Sequence, residues 1–153
     1  MVLPAIRPAT AADGSRAFAA LAEWMPEQRA RQLAPSLRPA GGSEIVYVAD
    51  DPDGTLAGFI IAVAPERSSG AGYIHFVWVA PASRGAGLGR ELYAAALAEL
   101  RRRNCRQVLA VVAERNHGGL RFHARLGFRP VVDPGFDVPD RPGGPSVTLA
   151  LRL

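Results

Sequence analysis

The chain has no lysine; all 18 of its basic residues are arginine. That absence removes the ordinary P-loop nucleotidases, whose glycine loop needs Gly-Lys-Ser/Thr to reach the terminal phosphates and hold magnesium. Cysteine is nearly absent too. The single Cys105 can form no internal disulfide, which excludes a disulfide-framed scaffold. It also follows Arg101-Arg102-Arg103 at a predicted helix end, where the dipole disfavours a thiolate nucleophile. No Ser-His-Asp or Cys-His set is visible, and no histidines and carboxylates share metal-ligand spacing on one element, so no metal is expected. Long apolar runs are missing: nothing approaches the roughly 20 residues of a membrane span. The segment Met1–Arg7 lacks a basic stretch followed by an apolar one, so a signal peptide is not expected. These absences predict a cytoplasmic protein with no membrane contact.

What is present fits one domain over residues 1–153, since 48% hydrophobic residues in a chain of this length supply a sizeable core. The net charge is only +4 and the arginines are spread along the chain. Their one cluster, 101–103, sits where cations complement a helix dipole, so a nucleic-acid partner is not expected. Strands are predicted at Val2–Arg7, Ile45–Ala49, Leu56–Val63, Tyr73–Val79, Val108–Val112, Arg129–Val132 and Ser146–Leu151. Ala11–Gln32 has helical spacing broken by Pro26 into two helices, and Asp50–Gly54 reads as a hairpin turn. Segments 35–43, 66–72 and 133–145 read as loops.

The most informative stretch is Arg84-Gly85-Ala86-Gly87-Leu88-Gly89. A strand closed by Ala80-Pro81 precedes it, and Leu88, Leu92, Ala96, Leu97 and Leu100 continue it as an amphipathic helix. Bare N–H groups converge where strand, glycine turn and helix N-terminus meet, the dipole favours an anion, and missing Cβ atoms let phosphate oxygens approach. The spacing is G-x-G-x-G rather than the G-x-G-x-x-G of dinucleotide folds. Glu114, the acidic residue beyond the next strand, comes later than the roughly 20 residues that such folds use.

Val79-x-Pro81-x-x-Arg84-x-x-Gly87-x-Gly89 resembles the acetyl-CoA-binding motif of the GNAT superfamily of N-acetyltransferases. Asn116 with Leu120–Phe128 resembles that family's second signature, in the right order and at the right separation. The resemblance is sharp over Tyr73–Phe128 and topological elsewhere. It implies an α/β fold of order β-αα-ββ-β-α-β-α-β-β, a mixed central sheet flanked by helices. It also implies acetyl-CoA as donor and direct attack by a primary amine in a ternary complex. The main chain of Phe76, Val77 and Val79 would hold the pantetheine arm. The amides of Gly85, Ala86, Gly87, Leu88, Gly89 and Arg90, with the Arg84 guanidinium, would hold the pyrophosphate. Asn116 would lie on the CoA side or cap its helix.

Where the family has a tyrosine acid, this chain has His123, and where it has alanine, Gly119. The glycine is expected to loosen the helix, lowering propensity by about 1 kcal/mol. The family's glutamate base matches Tyr73, which is no carboxylate. Strict alternation puts Tyr73, His75, Val77 and Val79 on one face, so His75 is the substitute base, with Glu114 as rival. The acceptor, a small-molecule or peptide amine, would enter between Ala11–Leu37, Glu66–Gly72 and Asp133–Pro145. A homodimer is a possible assembly. The alternative is a non-catalytic acyl-CoA-binding module, favoured by the missing Glu and Tyr.

Overall fold

The computed structural model describes residues 2–33, 42–65, 70–132, 134, 138 and 142–153. Seven strands run β1 (Ala5–Pro8), β2 (Glu44–Asp50), β3 (Leu56–Val63), β4 (Ala71–Val79), β5 (Gln107–Ala113), β6 (Arg129–Pro130) and β7 (Ser146–Arg152). The helices are α1 (Asp13–Ala22), α2 (Glu27–Leu33), α3 (Leu88–Arg102) and α4 (His117–Leu126). The chain order is the predicted one. The sheet order is β1-β2-β3-β4-β5-β7-β6. Among the described residues only β4 and β5 pair in parallel, as their connection through α3 requires.

Two apolar clusters sit on opposite faces of the sheet. On one face α3 packs Leu88, Leu92 and Leu100 against Ile45, Ile60, Ile74 and Val108, with Leu120 and Phe122 of α4 alongside. On the other, Leu21 of α1 and Ala30 of α2 lie with Phe59, Ile61 and Trp78. Strand β3, covered on both sides, is buried over all but its last residue, which explains its unbroken apolar sequence. Helix α3 comes close to the sheet because Gly72 lies beneath it. A Cβ there would stand 2.6 Å from Leu100 Cδ2.

The first helix is tied to the sheet edge by ions. Asp13 is 1% exposed and accepts five hydrogen bonds: two from Arg7, one from Arg16, and two from the amide and hydroxyl of Thr10. Both arginines also reach Asp50, Arg7 through Nε at 2.8 Å and Arg16 through Nη2 at 2.6 Å. The Arg7 guanidinium above all, with help from the Thr10 amide, holds the Asp13 carboxyl well below the usual carboxylate range, against the opposing effect of burial.

Several boundaries differ from expectation. Strand β1 begins at Ala5 because Val2 and Leu3 are exposed and Pro4 has no N–H to give a ladder. Strand β6 is two residues long, and Val132, expected within it, is fully exposed. Ala71 and Gly72, expected in a loop, open β4. Residues 35–41, 66–69 and most of 133–141 lie outside the described residues. No helix among the described residues is long and apolar enough to cross a membrane.

The alternation predicted along β4 is also broken. Ile61 opposes Phe76 while the next residue, Ala62, opposes Ile74, so His75 is an extra residue in a β-bulge. The bulge moves Ile74 onto the face of Val77 and Val79, with α3, while Phe76 and Trp78 face α1 and α2. Strict alternation grouped Ile74 with Phe76 and Trp78.

Candidate active site

Parallel pairing between β4 and β5 covers only Ala71–Ile74 against Gln107–Ala110. Strand β4 then runs on through Val79, about 16 Å at the usual rise, without β5 beside it. Strand β5 remains held on its far side by β7 as far as Ala113. The result is a wedge whose apex lies at Ile74 and Ala110. A cleft of about 880 Å³ fills it, lined by Ile74–Val77 and Val79 of β4 and by Ala110–Ala113 of β5. Backbone groups on this edge of β4 are therefore offered to whatever occupies the cleft, as to another strand.

The glycine turn closes the wide end. Gly85 and Gly87 have φ of +82° and +93°, conformations that side chains rarely adopt. Gly87 is the N-cap of the 15-residue α3, with no side-chain cap, so its first-turn amides are open to an anion. Gly89 plays a further part. A Cβ there would meet Phe122 of α4 at 3.3 Å, so close helix–helix packing also favours glycine at this position. Arg84 donates through Nε to the Val79 carbonyl at 3.0 Å and lines the cleft with Arg90 and Arg125. Uncapped amides and three guanidiniums, with no carboxylate among the described lining residues, suit a pyrophosphate. Ala86 is not among the lining residues; Gly85, Gly87, Leu88 and Gly89 are.

His123 is buried at 6% exposure. Its Nδ1 lies 2.7 Å from the Gly119 carbonyl, which can only accept, so Nδ1 carries the ring proton. Nε2 then accepts from the Tyr93 hydroxyl at 2.5 Å. Burial holds the imidazole below its ordinary range, partly offset by the Gly119 bond, and pushes the Tyr93 phenol far up. Both ring nitrogens of His123 are thus engaged within the fold, although the ring lines the cleft. Tyr93 was missed because it falls within the apolar spacing of α3; only its pairing with a histidine on α4 sets it apart.

His75 lines the cleft at the bulge. Glu114 does not: it is exposed past the end of β5, its amide bonded to the Pro145 carbonyl at 3.0 Å. Asn116 lines the cleft and also caps α4, its Oδ1 accepting from the Gly119 amide at 2.9 Å. Cys105 is buried away from the cleft, and burial raises its thiol. Among the described residues no three His, Cys, Asp or Glu side chains gather as metal ligands.

Gly119 has a use that propensity alone hides. A Cβ there would stand 2.6 Å from Asn116 Nδ2 and 2.9 Å from its Cγ. Gly119→Ala should therefore lose the cap, worth about 1 kcal/mol, and cancel the helix-propensity gain of about 1 kcal/mol. Chemical denaturation should show no stabilisation; a gain near 1 kcal/mol would mean that the cap is dispensable.

The acetyltransferase (GNAT) family profile matches residues 14–128. Mycothiol acetyltransferase of Thermobispora bispora is 38% identical over 122 residues, 74% of this chain and 40% of that protein. The chain thus spans about 40% of the length of that relative. Among solved structures, a GCN5-related N-acetyltransferase from Kribbella flavida matches with TM-score 0.74 at 24% identity, over 97% of both chains. Arabidopsis thaliana NAA60 in complex with acetyl-CoA matches with TM-score 0.73 at 20% identity, over 97% of this chain and 98% of that one. The structural matches establish a shared fold, and the profile runs from α1 to the edge of β6: the chain belongs to the GNAT family of acetyltransferases.

Proposed function

We propose that the chain transfers an acetyl group from acetyl-CoA to a primary amine by direct attack in a ternary complex. The observation that carries this is the unpaired edge of β4 running into an uncapped, glycine-turned helix N-terminus. Gly85, Gly87 and the first amides of α3, with Arg84 and Arg90, bind the pyrophosphate. The main chain of Phe76, Val77 and Val79 orients the pantetheine arm, directing the reactive end toward the apex at Ile74. Acetyl-CoA supplies the thioester, whose carbonyl carbon takes the amine as the C–S bond breaks and CoA leaves as a thiolate. His75, at the bulge, takes the amine's proton directly or through a water. Tyr93 and His123 hold α4 against α3 and so keep Asn116 and Phe122 in place beside the cleft. The similarity to a mycothiol acetyltransferase favours a small-molecule acceptor.

The rival reading is a CoA-binding module without turnover, favoured by the absence of any carboxylate among the described cleft residues. Acetyl-CoA consumption across amines, amino acids, aminoglycosides and peptide N-termini separates the two. With an accepted amine, kcat/KM should rise with pH along a limb that His75→Gln flattens. Two acceptors of different basicity separate the amine's own ionisation from the enzyme's. A limb that tracks the acceptor and ignores the substitution removes His75 as base. Binding without consumption on the whole panel favours the rival.

A further inference from the structure

The cleft reaches both faces of the sheet, and its charged lining differs between them. Arg84, Arg90 and Arg125 come from the glycine turn, α3 and α4, on the side that suits the phosphates. The fourth cation, Arg29, comes from α2 on the opposite face, where its neighbour Ala30 is fully buried against the Phe59 and Trp78 cluster. Among the described residues it is the only one from α1 or α2 that lines the cleft, which it shares with Ile74, His75 and Phe76 near the apex.

Five guanidiniums are matched by carboxylates, Arg7 and Arg16 by Asp13 and Asp50, Arg31 by Glu27, and Arg102 and Arg103 by Glu99, whereas the cleft arginines Arg84, Arg90 and Arg125 have no carboxylate partner among the described residues. Arg29 has no such partner among the described residues. Its polar contact is the neutral Gln32 amide oxygen at 3.4 Å, at the weak end of hydrogen bonding. A planar fork of donors that lines the cleft from the α2 face suits a planar anion. A polycationic acceptor would meet only like charge here, and an uncharged amine would leave the fork unused.

Resting on the transferase reading, we infer that the acceptor is an amine that also carries a carboxylate, and that Arg29 pairs with that carboxylate to set specificity. The amine is then anchored from the α2 side while the donor is held from the α3 side.

The test compares L-amino acids with their carboxamides as acceptors. The amide's amine is less basic and so more of it is neutral at pH 7.5, which biases intrinsic reactivity against the expected result. The wild-type chain should prefer the acids by about tenfold or more in kcat/KM, equivalent to at least ~1.4 kcal/mol, chiefly through KM. Arg29→Gln should erase that preference while leaving the amides' rates and the acetyl-CoA thermal shift unchanged. Arg29→Lys should keep the charge and lose the fork, retaining part of the preference. Equal use of acids and amides by the wild type overturns the inference, as does a preference that survives Arg29→Gln. A weakened acetyl-CoA shift in Arg29→Gln would assign Arg29 to the donor and overturn it equally. Consumption of amines without carboxylate preference sinks this inference alone; bound acetyl-CoA with no consumption sinks the transferase reading and this inference together.

Discussion

Gly87→Val should abolish stabilisation by acetyl-CoA. A ligand present at a hundred times its Kd stabilises the native state by about 2.7 kcal/mol, and that gain should vanish from thermal or chemical unfolding of the variant. At φ +93° the position excludes a β-branched residue, so the turn must reshape and the first amides of α3 lose their common aim. An added Cβ would meet nothing within 4 Å, so the unliganded protein loses only the backbone strain, about 1–2 kcal/mol. Gly89→Val makes the contrast. Its side chain would press on Phe122, so that variant should already be destabilised without ligand. A full acetyl-CoA shift in Gly87→Val would place the pyrophosphate elsewhere.

The largest stability loss is expected from Asp13→Asn. The substitution keeps the volume but removes the charge that faces Arg7 and Arg16 and weakens the bond to the Thr10 amide. Removing one partner of a buried pair costs about 3–5 kcal/mol. The arginines are about a third exposed, which screens the pair and sets the expectation at the low end, about 3 kcal/mol. The pH dependence follows from the direction of the shift. Asp13 is held below its unfolded value, so its contribution is complete above that value, near 3.9, and is lost as pH falls through the folded one. Glu99 behaves alike: Arg102, then Arg103, lower it to about 2. Wild-type stability should therefore fall on acidification from about pH 4.5 downward, and the gap to Asp13→Asn should narrow over the same range. A gap that stays constant from pH 7 to pH 2 would show that Asp13 acts by shape and not by charge.

The sequence carried the chain order of the elements, because periods of two and of 3.6 residues alternate cleanly and Pro26, Gly54 and the 85–89 turn punctuate them. It also carried the glycine turn between β4 and α3, since strand, glycines and helix lie within one continuous segment. The face of each β4 side chain was not legible. The bulge at His75 arises from pairing with β3, more than ten residues upstream, and nothing local to His75 announces it. The Tyr93–His123 pair and the clash that makes Gly119 a glycine depend on how α3 and α4 meet or how a cap folds back. Arg29 was hidden for the same reason, since its helix reaches the cleft only through packing across the sheet.

The short parallel pairing at the wedge means that the sheet is two antiparallel halves joined along a seam. Strands β1 to β4 form one half and β5, β7 and β6 the other, with four residue pairs between them and α3 as the covalent connection from β4 to β5. A guest lying against the free edge of β4 acts there as a stitch, supplying cohesion that the polypeptide leaves out. With the donor placed as proposed, holding it and closing the seam are one event.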